Sequence, residues 1–198
     1  MKLTYLAATA AAAAMAATAA GAAPTTIDFS TFADGTPVSS VGPVGFSLYG
    51  GQAGGTPLVS DYWVGDQIQM NNSPSGQYPT SEGIEITFAG GANNVSFTFN
   101  NYGPSGSFES AYSGATQVDN QTIGYNCAWS FCTVNVSGSD ITSLYIDNNN
   151  GGYSWEFGVG SLSYNAVPEP ASWALMLIGV GALGGALRAS RRGIAAAA

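Results

Sequence analysis

The chain has 198 residues, of which four are basic, twelve are acidic and none is histidine. The basic residues all lie near the two ends, so the stretch between Thr25 and Val167 carries eleven acids and no base, a formal charge of −11. A domain without lysine or arginine cannot neutralise phosphates, which argues against nucleic-acid binding. The lack of histidine and lysine excludes serine–histidine triads and Schiff-base chemistry. Paired carboxylates, as in glycoside hydrolases, are the catalytic groups that remain.

Residues 1–22 are predicted to be a cleaved secretory signal peptide. Lys2 provides a positively charged start, Leu3–Ala20 is apolar and rich in alanine, and small residues precede a cleavage point after Ala22. Cleavage one residue later would leave Pro24 at the new N-terminus. The alternative is an alanine-rich helix retained in the protein, but such a helix would be expected to have a charged face. We therefore expect the protein to be exported.

Residues 23–165 are predicted to form one all-β domain, an antiparallel β-sandwich or jelly roll. No window shows sustained helical periodicity, whereas several short windows alternate apolar and polar residues. Clusters of Gly, Asn, Ser and Pro separate these windows and predict turns. Strands are expected at 26–29, 45–49, 58–64, 83–88, 94–99, 117–123, 132–136, 141–146 and 153–164.

Two of these strands are predicted to pair as a β-hairpin. Alternate residues from Ile84 to Phe88 are apolar, and the same pattern recurs from Val95 to Phe99. The segment Gly90–Asn93 between them has the composition of a tight turn.

Cys127 and Cys132 are predicted to form a disulfide. They are the two cysteines of the chain, and an even number in an exported protein favours a disulfide. The four residues between them could form a loop that brings two strand ends together. The alternative is a reactive thiol pair, although the spacing is not C-x-x-C.

The domain is rich in tyrosine and tryptophan, which suggests a sugar-binding surface. Ring faces pack on the C–H groups of sugars while neighbouring polar side chains hold the hydroxyls. The candidate glycan-binding residues are Tyr62 and Trp63, beside two aspartates, and Tyr102, beside two asparagines. The alternative is that most of these rings belong to the core or to strand surfaces.

The segment after residue 165 changes in character. The two prolines of Val167–Pro170 favour a stiff, extended backbone. Ala171–Leu187 then runs for 17 residues without a charge, which as a helix would span about 25 Å, slightly less than a ~30 Å bilayer core. A tryptophan near its start and arginines after its end are typical of membrane boundaries. We predict a single C-terminal transmembrane helix; the alternative is a buried core helix.

The order of these features resembles the PEP-CTERM sorting signal of Gram-negative bacteria. The resemblance implies recognition by an exosortase, a membrane-embedded cysteine transpeptidase, and transient anchoring in the inner membrane. It also implies delivery to the cell surface or extracellular matrix, in association with exopolysaccharide. Residues 166–192 form the signal, and residues 193–198 extend past its usual end. The matching residues are Val167, Pro168, Glu169, Pro170, Trp173, Arg188, Arg191 and Arg192.

The central domain is also similar to the carbohydrate-binding jelly rolls that precede such tails, through residues 27–29, 35–38, 45–48 and 155–162. We therefore expect a non-enzymatic surface or matrix protein with weak glycan affinity. A carboxylate-based glycoside hydrolase, an ice-binding protein and an adhesin or structural spacer are the alternatives. No metal or cofactor is predicted, because the oxygen-rich segment 147–152 fits an Asn/Gly turn better than a Ca²⁺ site.

Overall fold

The computed structural model describes residues 23–50, 55–61, 69–71, 83–101, 107–123, 127, 130–147, 149–150, 153–154 and 157–167, with isolated residues between 177 and 188. The predicted signal peptide 1–22 and the extension 193–198 lie outside the described residues. The described chain is mostly antiparallel β-structure, as predicted. Its strands are β1 Thr25–Asp28, β2 Ser40–Val41, β3 Val44–Tyr49, β4 Leu58–Ser60, β5 Gln69–Asn71, β6 Gly83–Asn101, β7 Ser107–Ser113, β8 Thr116–Ile123, β9 Cys132–Asn135, β10 Ile141–Asp147, β11 Asn149–Asn150, β12 Tyr153–Ser154 and β13 Phe157–Ala166.

The predicted hairpin is wrong, because its two strands are the two halves of one long strand, β6. The first half pairs with β3 on one side and β10 on the other. The second half pairs with β9 and β13. The two halves therefore belong to two groups of strands, in the orders β2-β3-β6-β10-β7-β8 and β9-β6-β13-β5-β4, and β1 also pairs with β13.

A corner at Gly90 and Gly91 lets β6 pass from one group of strands to the other. Both glycines have positive φ angles, 80° and 85°, which glycine adopts without steric cost. Opposite this corner, four residues of β6 (88–91) face a single residue of β10, because Thr87 pairs with Ser143 and Ala92 with Ile141. Such a bulge bends a strand without reversing it.

The inner faces of both groups meet in one hydrophobic core. In β3 and in both halves of β6, alternate side chains are buried, and those of β13 join them in the same cluster. Because one cluster draws on both groups, the arrangement is sandwich-like, with β6 contributing to both layers. The largest fully buried side chains are Phe29, Phe97, Phe99, Phe157, Leu48, Met70, Ile84, Ile86, Ile141, Leu144, Ile146 and Leu162.

The disulfide prediction is confirmed. Cys127 and Cys132 are bonded, with their Cα atoms 5.2 Å apart. Cys132 begins β9, so the bond ties this strand to the segment that precedes it.

A carboxyl group also lies on the inner side of the sheet. Glu109 of β7 has no exposed surface, and neither of its carboxylate oxygens has a hydrogen-bond partner in the structure as described. Its cross-strand neighbour Gln121 donates instead to the Asn135 carbonyl at 2.8 Å and to the Asp119 carboxylate at 3.3 Å. Burial raises the pKa of Glu109 to about 7; the Gln121 amide opposes this rise, and the charge of Asp119 adds to it.

This buried acid should make the stability of the protein depend on pH. A carboxyl whose pKa is raised on folding stabilises most below its unfolded value, and that stability is lost as the pH rises through about 7. Glu109→Gln, which stays neutral, should be similar in stability to wild type at about pH 4.5 and more stable at about pH 8, by on the order of 3 kcal/mol. Urea unfolding at both pH values measures the difference, and a parallel loss of stability in both proteins would contradict it.

Candidate functional site

The outer side of the first strand group presents a regular array of side chains, which we call the tyrosine face. Because side chains alternate along a strand, burial of one set leaves the other set facing outwards. Strand register places this outer set in three rows that cross β3, β6, β10 and β7 and continue to β8, where Asn120 belongs to the second row. The rows are Tyr49, Gly83, Asp147 and Phe108; Ser47, Glu85, Tyr145, Ser110 and Asn120; and Gly45, Thr87, Ser143 and Tyr112.

Three tyrosines form a diagonal line across these rows. The Tyr145 ring lies at the centre, with ring centroids 5.4 Å from Tyr49 and 5.6 Å from Tyr112. Both contacts are edge-to-face, the geometry that the ring quadrupoles favour. Together the rings form walls in which Tyr145 stands nearly perpendicular to each of its neighbours.

These rings line an open groove of about 470 Å³, within the size range of ligand sites. Phe108 stands at one side of the groove and is 41% exposed, which is unusual for a large apolar side chain in this domain. Polar side chains complete the lining. The lining residues are Tyr49, Phe108, Ser110, Tyr112, Asn120, Tyr145 and Asp147.

The absence of a side chain at Gly83 allows Tyr49 to lie across the sheet. A Cβ atom at this position would meet the Tyr49 ring at 2.6 Å and would clash with the Ile146 carbonyl. Any larger residue would therefore displace the ring from its contact with Tyr145.

Glu85 holds the hydroxyl of the central tyrosine. The Tyr145 hydroxyl donates to Glu85 Oε1 at 2.7 Å, and the Ser47 hydroxyl donates to Glu85 Oε2 at 3.4 Å. The hydrogen bond to Glu85 raises the pKa of Tyr145, and burial adds to the rise. The carboxylate thus orients Tyr145 and leaves the lone pairs of its hydroxyl as acceptors.

The predicted glycan-binding residues Tyr62, Trp63 and Tyr102 lie outside the described residues and stay predictions. The tyrosine face was not identified from the sequence as a site. β7, which supplies Phe108 and Tyr112, was not predicted as a strand, because Ser107–Ser113 has no β-branched residue. The sequence feature that could have indicated this strand is alternation, because phenylalanine, serine and tyrosine occupy every second position there.

No group of three or more acidic or cysteine side chains that could hold a metal ion occurs among the described residues. The carboxylate of Asp28, in β1, accepts hydrogen bonds from the backbone N–H and the hydroxyl of Ser30.

The tail begins directly at the end of the sheet. Ala166 still pairs with Ala92, and the Val167 N–H donates to the Gly91 carbonyl at 3.1 Å. Among the described tail residues, several between 177 and 185 are helical and exposed, as is Arg188. In this part of the chain no helix is long and apolar enough to cross a membrane, so the transmembrane helix stays a prediction. The motif residues Pro168, Glu169, Pro170, Trp173, Arg191 and Arg192 lie outside the described residues.

Comparison with known proteins confirms the resemblance of the tail. Residues 166–192 match the PEP-CTERM protein-sorting motif. This match covers the tail and not the β domain, and among curated proteins none matches this chain.

Several solved structures have a similar arrangement of strands. The K1 cleaved adhesin domain of Lys-gingipain from Porphyromonas gingivalis W83 is 9% identical, with 74% of this chain and 99% of that chain covered and a TM-score of 0.47. A family 29 carbohydrate-binding module is 10% identical, with 76% and 97% covered and a TM-score of 0.39. A family two carbohydrate esterase from Cellvibrio japonicus is 9% identical, with 75% and 36% covered and a TM-score of 0.36. These values are too low to transfer a ligand to this chain.

The hydrogen bond between Tyr145 and Glu85 can be tested by titration. Glu85→Gln should lower the pKa of Tyr145, because it removes the negative charge that opposes phenolate formation. The measurement is the ultraviolet absorbance of phenolate, with a Tyr145→Phe protein subtracted to isolate this residue. Asp34→Asn, which removes the same charge from an exposed site, should leave the titration unchanged. An unchanged Tyr145 titration in Glu85→Gln would contradict the assigned hydrogen bond.

Proposed function

We propose that this protein is an exported surface or extracellular-matrix protein whose β domain binds glycan chains, weakly and without catalysis, at the tyrosine face. The observation that carries the proposal is the groove formed by Tyr49, Tyr145 and Tyr112. The PEP-CTERM motif implies export and exosortase-mediated sorting to the surface. Exopolysaccharide is a ligand that such a surface protein would meet.

The composition of the groove supports a carbohydrate ligand. Aromatic ring faces pack against the C–H groups of sugars, and the edge-to-face arrangement offers rings in two orientations. Ser110 and Asn120 face each other across β7 and β8 and can exchange hydrogen bonds with hydroxyl groups. Because the groove is open, it can accept an internal segment of a chain.

The arrangement of acids favours binding over hydrolysis. Glycoside hydrolases place two carboxylates on either side of the bond, one of them with a raised pKa. Glu109 has such a pKa, but it faces the core on the opposite side of β7 from the groove. Asp147 and Glu85 lie on the same face of neighbouring strands. The Glu85 carboxylate accepts a hydrogen bond from the Tyr145 hydroxyl.

The groove tyrosines should dominate glycan binding. Tyr145→Ala should weaken binding of a neutral β-linked oligosaccharide by about tenfold, because it removes the central ring and its contacts with both neighbours. Titration calorimetry measures the affinity. Phe131→Ala is the matched control, since its ring lies over Gly160 of β13, in the other strand group.

The same experiment separates the alternatives. Equal loss of affinity in both variants would contradict a site at the tyrosine face. Release of shorter products during the titration would instead support a glycoside hydrolase. Failure of every oligosaccharide to bind would favour an adhesin or spacer.

The tail supports the sorting part of the proposal. Since Val167 is hydrogen-bonded to the sheet, Pro168-Glu169-Pro170 follows the folded domain with no spacer. A motif that directly follows a folded domain in the sequence and precedes a hydrophobic segment suits recognition by a membrane-embedded transpeptidase.

Replacing Pro168-Glu169-Pro170 with three alanines should leave full-length protein in the inner membrane, because the transpeptidase would lose its recognition site. Cell fractionation and mass spectrometry of the mature C-terminus measure this outcome. Alanine substitution of Gly193 and Ile194, beyond the matched motif, is the control and should not affect trimming. Normal trimming and surface delivery of the triple variant would contradict recognition of this motif by the transpeptidase.

A further inference from the structure

We propose that the groove of the tyrosine face selects glycans that carry ammonium groups, such as de-N-acetylated amino sugars, over neutral and anionic glycans. The inference rests on the proposed function and specifies its ligand class. It follows from three properties of the site: its charge, the direction of its hydrogen bonds and its ring walls.

The charge of the site is uniformly negative. Asp147 lines the groove, and Glu85 lies beneath the Tyr145 hydroxyl in the neighbouring strand. The sequence between Thr25 and Val167 supplies no basic residue to offset them. The charges of the groove and of the whole domain would therefore repel a uronate or sulfate group and attract an ammonium group.

Two groups of the site, the Tyr145 hydroxyl and the Asp147 carboxylate, act as hydrogen-bond acceptors toward a ligand. The Tyr145 hydroxyl uses its proton on Glu85 and presents lone pairs to a ligand. The Asp147 carboxylate, when ionised, accepts only. An ammonium group has three donors and no acceptor, so it matches this arrangement better than an N-acetyl group, whose carbonyl needs a donor.

The aromatic rings that line the groove provide the third property. Tyr49 and Tyr112 each stand nearly perpendicular to Tyr145, at 84° and 88°, so the groove presents both ring edges and ring faces. The face of an aromatic ring is negative and attracts cations, whereas neutral sugars gain from these rings only by apolar packing.

The test compares two glucosamine oligomers of equal length, one fully N-acetylated and one fully de-N-acetylated, on the full-length protein in detergent. The pH is one at which the amines are protonated, and a uronate oligomer is the anionic reference. The de-N-acetylated oligomer should bind at least about fivefold more tightly, from the cation–π and ion-pair contributions together. This advantage should shrink in about 1 M salt, where the Debye length falls to ~3 Å.

Variants then locate the effect. Asp147→Asn should lower the affinity for the de-N-acetylated oligomer by a larger factor than the affinity for the N-acetylated oligomer, and so remove most of the advantage of the amine. Glu85→Gln should also reduce the advantage of the de-N-acetylated oligomer. It provides a second variant in case Asp147→Asn folds poorly. Asp34→Asn, which removes one charge from an exposed site outside the groove, is the matched control.

Each outcome decides one question. Equal or tighter binding of the N-acetylated oligomer, or tight binding of the uronate, would overturn the inference and leave the proposed function standing. An equal effect of Asp34→Asn and Asp147→Asn would also overturn it, because the preference would then come from net charge and not from the groove. Binding of neither glucosamine oligomer nor of any other glycan would contradict the proposed function itself.

Discussion

The long strand β6 is the element on which the rest of the structure depends. Its first half is an interior strand of one group and its second half is an interior strand of the other, so the same strand connects both layers. The change of partners occurs at Gly90 and Gly91, where positive φ angles bend the strand without reversing it. Substitution of Gly91 would be strained by this backbone and would also crowd the Asp140 carboxylate.

This constraint also sets the distance between the tail and the row of the groove that contains Tyr49. The tail leaves the sheet beside the Gly91 carbonyl, at the corner. The row containing Tyr49, Asp147 and Phe108 lies at the other end of the first half of β6, level with Gly83. At about 3.3 Å per residue, roughly 17 Å of extended strand separate Gly83 from Phe88 before the corner begins. The Tyr49 end of the groove therefore lies away from the tail, whereas its Tyr112 end lies in the row of Thr87, next to the corner.

Charge acts differently on the two sides of the same sheet. On the outer side, Glu85 and Asp147 make the site negative, and Glu85 also orients the Tyr145 hydroxyl. On the inner side, Glu109 meets no compensating base, and burial favours its neutral form near pH 7. Because the domain contains no lysine, arginine or histidine, none of these acids can form an ion pair within it.

The sequence by itself determined the β class, the disulfide, the excluded chemistries and the sorting tail. Each of these depends on local pattern or composition: alternation around Phe46 and Leu144, two cysteines in an exported chain, absent side-chain types, and a contiguous motif. Only the tertiary structure decided that the alternating runs before and after Gly90 form one strand, because a hairpin and a bent strand bury the same residues. Only the tertiary structure assembled the groove, since Tyr49, Phe108, Asn120 and Tyr145 come from four strands and meet through register between distant segments, which local pattern does not encode.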